Sequence, residues 1–101
     1  MSDKMNRIDD LDLFLNDSYR ILIVLYNHQQ TINENTFSPI TQQEIADSIG
    51  CSIMKVNPII AKLKKNGYVS TYKNSRGRYQ LTDKAKYLVR ELQKLQGEKV
   101  K

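Results

Sequence analysis

Arg76 and Arg78 flank Gly77, and Lys73 lies three residues before the first of them. Cations gathered on a turn hold phosphate or carboxylate oxygens through charge-assisted hydrogen bonds. The bland alternative is a charge screen that keeps a strand edge from pairing with another chain. A second group lies upstream. There Ser52, Lys55, Asn57, Lys62 and Lys65 are interleaved with Ile53, Met54, Pro58 and Ala61. Hydroxyl, amide and ammonium groups at helical spacing supply what base edges and phosphates require, and an apolar side chain can meet a thymine methyl. The candidate nucleic-acid contacts are therefore Ser52, Met54, Lys55, Asn57, Lys62, Lys65, Lys73, Arg76 and Arg78, with Lys64 close by.

Other chemistries lack their parts. The chain has one histidine, His28, and one cysteine, Cys51, so no disulfide forms within it and no structural zinc site can be completed from these alone. Cys51 reads as a small packed residue and His28 as a helix-end residue whose charge would suit the helix dipole. Asp9, Asp10 and Asp12 cluster without a histidine and read as a solvated segment. The four glycines are scattered and form no phosphate-cradling loop. No nucleophile stands with a base and an orienting acid. The expectation is a non-enzyme without cofactor or metal.

Charge is distributed unevenly over the 101 residues. Residues 1–50 carry three Lys or Arg against eight Asp or Glu, a net of −5; residues 51–101 carry thirteen against three, a net of +10. A field polarised this way suits a polyanion against the second half. Hydrophobic residues at 40% and charged residues at 27% fit one ordinary folded domain. The longest apolar run is the six residues 21–26, far short of a membrane span. No apolar block follows a basic start, so no signal peptide is expected, and the expected compartment is a reducing cytoplasm.

The elements that must position these groups follow from spacing. Ile8, Leu11, Phe14 and Leu15 predict a short helix within an acidic segment, residues 1–17. Asp17 or Ser18 is expected to cap a helix over residues 19–28, largely buried through Ile21, Leu22, Ile23, Val24 and Leu25. Residues 29–40 read as a polar loop. Thr41-Gln42-Gln43-Glu44 is a capping box that opens a short helix, and Gly50 ends it. Ser52 opens the next helix, with Val56, Ile59, Ile60 and Leu63 facing inward. Pro58 interrupts that pattern: either the helix loosens before it, which keeps Ile53 and Val56 in register, or Asn57 caps a helix that begins at Pro58. Residues 68–73 and 78–81 alternate around turn residues and predict a hairpin with a basic tip. Thr82-Asp83 then caps a last helix with Ala85, Leu88, Val89, Leu92 and Leu95 on one face. A main domain over residues 18–96 and a frayed basic tail over 97–101 complete the division.

This order predicts an α+β, mostly α, winged helix-turn-helix: a three-helix core, a two-stranded hairpin wing and a C-terminal helix. The turn Ile49-Gly50-Cys51-Ser52 would project the second helix toward a major groove, and the wing would lie near a minor groove or phosphates. That second helix is unusual. Met54, Pro58, Ala61 and Lys65 form one outward stripe, mostly apolar. Either Ser52, Lys55 and Asn57 read bases while Met54 and Pro58 touch thymine methyls, or Met54, Pro58 and Ala61 meet a second copy. Leu88, Leu92 and Leu95 are the other candidate seam of a homodimer.

The stretch Pro39-Ile40-Thr41-Gln42-Gln43-Glu44-Ile45-Ala46-Asp47-Ser48-Ile49-Gly50 resembles the first helix and turn of MarR-type bacterial winged-helix regulators. Ser52 through Gly67-Tyr68-Val69 resembles their recognition helix, and Arg76-Gly77-Arg78 with Leu81-Thr82-Asp83-Lys84-Ala85 their wing and following helix. The resemblance covers residues 39–90 and implies a double-stranded DNA-binding transcriptional regulator. In size, element order and apolar helix face the chain is also similar to the TubR plasmid-partition proteins. That similarity implies a dimer that binds DNA repeats and recruits a filament-forming, tubulin-like GTPase. A third possibility, carried by the apolar stripe, is a winged-helix protein-interaction module.

Overall fold

The computed structural model of the chain describes residues 16–74 and 77–100. The helix expected around Ile8, Leu11, Phe14 and Leu15 lies outside these residues, as does Arg76. The first helix, α1, runs over Asp17–Asn27. Its cap is Asn16, whose side-chain oxygen accepts from the Tyr19 N–H at 3.1 Å. The cap therefore sits one or two residues earlier than Asp17 or Ser18, because Asn16 is the last extended residue before the helical backbone begins. Tyr19, Ile21, Leu22 and Leu25 are buried, and Ile23, Val24 and Tyr26 pack against the same core. At the far end His28 Nδ1 lies 2.8 Å from the Val24 carbonyl. A carbonyl can only accept, so Nδ1 carries the proton there.

The stretch expected as a loop is a hairpin, β1 (Gln30–Ile32) with β2 (Asn35–Phe37). Its two-residue turn, Asn33-Glu34, holds both residues at positive φ, 50° and 69°. That is the twist-matched turn of a tight hairpin, built here without the glycine that usually advertises it. Ser38 follows, fully buried. It exchanges backbone hydrogen bonds with Tyr79, and its hydroxyl donates to the Leu25 carbonyl.

The capping box forms as expected at the start of α2 (Gln42–Ile49): Glu44 N–H donates to Thr41 Oγ1 at 3.1 Å, and Thr41 N–H donates to Glu44 Oε1 at 2.9 Å. These bonds favour the ionised carboxylate and hold the Glu44 pKa below its ordinary value. Gly50 ends the helix in the left-handed conformation at φ 72°. The next helix, α3, runs unbroken over Ile53–Lys65 with Pro58 inside it. Of the two readings of Pro58, the register of the first holds, with Ile53 and Val56 in one helix, but without the loosening expected before Pro58. The cost is the hydrogen bond that an N–H at position 58 would have donated to the Met54 carbonyl.

The wing pairs β3 (Val69–Thr71) with β4 (Tyr79–Leu81), in the register Val69↔Leu81, Ser70↔Gln80 and Thr71↔Tyr79. A 3-10 turn over Tyr72–Asn74 leaves β3, with Lys73 left-handed at φ 49°. The Ser38–Tyr79 bridge and a Gln80 side-chain bond to the Thr36 carbonyl fasten the first hairpin to the wing. Gly77 returns the chain at φ 74°, where an added Cβ would stand 3.4 Å from Thr41 Cγ2. The last helix, α4 (Asp83–Val100), runs on through Gly97, where the sequence predicts a tail. Thr82 Oγ1 accepts from the Ala85 N–H at its start. Ala85, Val89 and Leu92 are buried, and Leu88 and Leu95 are half-buried against the same core. The described chain is a mostly helical winged helix-turn-helix: four helices, two small hairpins, one core.

Candidate nucleic-acid interface

Val56, Ile60 and Leu63 pin α3 to the core. With one turn every 3.6 residues, that leaves Met54, Pro58, Ala61 and Lys65 on the opposite side, and all of them are exposed. Met54 is 83% exposed and Ile53, on the first turn, 40%. Asn57 lies on one flank of the stripe; Lys55 and Lys62 lie on the other, all three exposed. The outward face expected from the sequence is thus the outward face of the helix. Ser52 holds the cap position in extended backbone, but its hydroxyl makes no cap hydrogen bond, contrary to its expected role.

Lys55 differs from the other lysines of α3. Its Nζ stands 3.2 Å from Asp17 Oδ2, while Arg20 Nη1 is 3.5 Å from Asp17 Oδ1. An exposed pair of this kind contributes little to stability. Its effect is on direction: the only cation in the first two turns of α3 is turned onto α1. Asp17 reads in the sequence as a cap, and nothing local reveals a partner 38 positions away.

At the base of the wing, Phe37 stacks on Tyr72 with ring centres 4.6 Å apart and planes within 10°. Lys73 Nζ lies 5.3 Å from the Tyr72 ring centre, and Arg78 Cζ lies 5.8 Å from that of Phe37. Each cation is held over a ring, which orders it while leaving its donors available. Lys64 is drawn to the same region, 5.7 Å from the Tyr79 ring. Lys84, which the sequence reasoning missed, donates to the Asn66 carbonyl at 3.0 Å and lies over Tyr68 at 4.3 Å. It places a further positive charge at the C-terminal end of α3, whose last turn carries Lys62 and Lys65, and there it also complements the helix dipole. Its signal was available: it directly follows the Thr82-Asp83 cap. The stacked ring pair, joining residues from the two hairpins, had no comparable signal.

Of the candidate seams, Met54, Pro58 and Ala61 are exposed, whereas Leu92 is taken up by this chain's own core and only parts of Leu88 and Leu95 remain outward. Among the described residues no group of three His, Cys, Asp or Glu side chains could hold a metal ion, and no helix is long and apolar enough to cross a membrane.

The model of the Crp-like helix-turn-helix domain matches residues 19–86. The reduced (FeII) CO-sensing protein from R. rubrum is similar in structure, with a TM-score of 0.63 and 27% identity over 90% of this chain and 40% of that one. A CRP/FNR-family transcriptional regulator from Thermus thermophilus shares the fold at a TM-score of 0.60 and 20% identity, covering 90% of this chain and 45% of that one. A CRP-family transcriptional regulator from the same organism does so at 0.56 and 21%, covering 92% and 48%. The chain therefore spans 40–48% of the length of these structures. The comparison with curated proteins gives no match. The MarR-type and TubR resemblances are corrected accordingly: the local helix-turn-helix pattern that carries them is common to the fold. The matched residues cover well over half of the chain, which belongs to the Crp-like helix-turn-helix domain family, a DNA-binding family and not an enzyme family.

Proposed function

We propose that the chain is a sequence-specific reader of double-stranded DNA that acts as a homodimer in transcriptional regulation. The N-terminal half of α3 enters the major groove. Lys62 and Lys65 at its far end, with Lys84, meet phosphates. Lys73, Arg76 and Arg78 bring the wing against the flanking backbone or minor groove. The observation that carries this reading is the outward face of α3, exposed along its whole length on a helix that the family uses to read DNA. A single such helix spans only a few base pairs, so two copies on half-sites one helical turn apart supply the length of a specific site.

The experiment is a salt titration of binding to duplex DNA. If six to ten phosphates are contacted per dimer, affinity falls roughly 10³–10⁵-fold between 50 and 200 mM salt. A flat response would remove the electrostatic contacts from the account. A second reading, favoured by the exposure of Met54, pairs two copies through Met54, Pro58 and Ala61. Met54→Glu then turns a dimer into a monomer; a dimer that survives returns the stripe to DNA.

A further inference from the structure

We infer that α3 reads A·T base pairs, through thymine methyl groups and one adenine-directed amide, and does not read guanine. The inference rests on the DNA-binding reading above and names the bases. Major-groove recognition has a small vocabulary. Arginine or lysine addresses guanine O6 and N7; asparagine or glutamine addresses adenine N6 and N7; aspartate or glutamate accepts from cytosine N4; an apolar group meets the thymine methyl. The thirteen residues of α3, IMKVNPIIAKLKK, contain no arginine, glutamine, aspartate or glutamate. The cytosine partner is absent, and so is the stronger guanine partner.

Lysine remains, and its placement weighs against guanine. Lys55 is the one lysine in the first two turns, and it is held by Asp17 at 3.2 Å on its own chain. Lys62, Lys64 and Lys65 stand in the last turn, where Lys64 lies near Tyr79. What faces outward is Met54 and Pro58 in the base-reading half and Ala61 just beyond its middle, with Ile53 and Asn57 beside them. Single exposed apolar side chains need no explanation. Three in one stripe, on the face that meets base edges, match a row of methyl groups. Pro58 sharpens the point: it removes a helix hydrogen bond, so its place here is not explained by helix stability. Asn57 supplies the one bidentate amide, which fits adenine.

The test uses the full chain and a pool of random 30-base-pair duplexes. Bound duplexes are selected, sequenced and resynthesised with deoxyuridine for thymidine, one position at a time, which removes only the C5 methyl. The expected half-sites are dominated by A·T pairs where α3 lies. Each contacted thymine loses about fourfold in affinity on replacement by uracil, with the salt dependence unchanged. Met54→Ala, a change at an exposed position, abolishes the uracil effect at one position and leaves the others. Selected sites centred on guanine, or uracil duplexes bound as tightly as thymine ones, would overturn the inference while leaving the DNA-binding reading intact. Sedimentation of Met54→Ala as a monomer where the unaltered chain is a dimer would also overturn it, by making the stripe a protein interface. Failure to bind any duplex at 50 mM salt would instead end the DNA-binding reading itself.

Discussion

The two ends of α3 are built from different materials. The first half presents Ile53, Met54, Asn57 and Pro58, and its one cation is turned onto Asp17. The second half presents Lys62 and Lys65, with Lys84 brought in from α4 by its bond to the Asn66 carbonyl. One end is nearly neutral and shaped; the other is charged and adaptable. The difference teaches how a small module divides its work. Phosphate contacts supply affinity and fix the register but carry no sequence information, whereas base contacts discriminate. On this account specificity and salt dependence are separable along a single helix.

The largest break in the comparison comes from the charged end. Lys62→Gln with Lys65→Gln removes two phosphate contacts from each protomer, four from the dimer. Binding weakens roughly tenfold per lost contact at 0.1 M salt, by a similar factor on every duplex, and the salt slope falls by ~0.9 for each contact. Fluorescence anisotropy on several duplexes reads this. Loss confined to one sequence would mean that these lysines read bases.

At the neutral end, Asn57→Ala costs about 1–3 kcal/mol of discrimination at one base pair and leaves the salt slope alone. Competition between the selected duplex and single-base variants measures it. A uniform loss on all duplexes would place Asn57 at the backbone.

Asp17 sets the charge of the neutral end through Lys55. Asp17→Asn releases Lys55 to the phosphates, so in each protomer non-specific affinity rises several-fold and the salt slope grows by ~0.9. The effect vanishes in a Lys55→Gln background. If it persists there, Asp17 acts as general charge and not through Lys55.

The smallest effect concerns the support beneath the reading helix. Thr41→Ala removes the hydroxyl that accepts from the Glu44 N–H at the start of α2, at about 1 kcal/mol, which lowers Tm by roughly 4–8 °C. It also flattens the acid limb of stability in part, because the backbone N–H of residue 41 still donates to Glu44 Oε1. Thr41 holds the Glu44 pKa below its ordinary value of 4.5, so the contribution of this carboxylate is complete above 4.5 and is lost as pH falls through the lowered value. Thermal unfolding between pH 3 and 7 follows both changes. An unaltered acid limb in Thr41→Ala would show that the Thr41 hydroxyl does not control Glu44.

What the sequence revealed, and what it hid, follows the range of the interactions. The capping box, the Gly50 stop and the outward stripe of α3 are local: each is carried by residues within one or two turns, so spacing alone announces them. Pro58 left two readings open, because its penalty weighs against the inward register of Val56, Ile60 and Leu63, and packing prevailed. The first hairpin stayed hidden because Asn33-Glu34 adopts positive φ without glycine. Distant partners were out of reach. Asp17 with Lys55, Phe37 with Tyr72, and Lys84 with Asn66 are set by how the elements pack. Leu92 shows the converse: a regular leucine stripe looks the same whether it faces its own core or a second chain, and here it faces the core. The winged-helix architecture was legible in the element order; the Crp-like family was not, because the local motif is shared by many winged helices.

The central claim is that this face reads the major groove of duplex DNA. A chemical-protection footprint of the full chain on DNA from its own source, beginning with the stretch around its gene, tests it most directly. The account predicts two protected major-groove patches of an inverted repeat, with centres about 10–10.5 base pairs apart, rich in A·T pairs. No protection at any position, even at 50 mM salt, would contradict it.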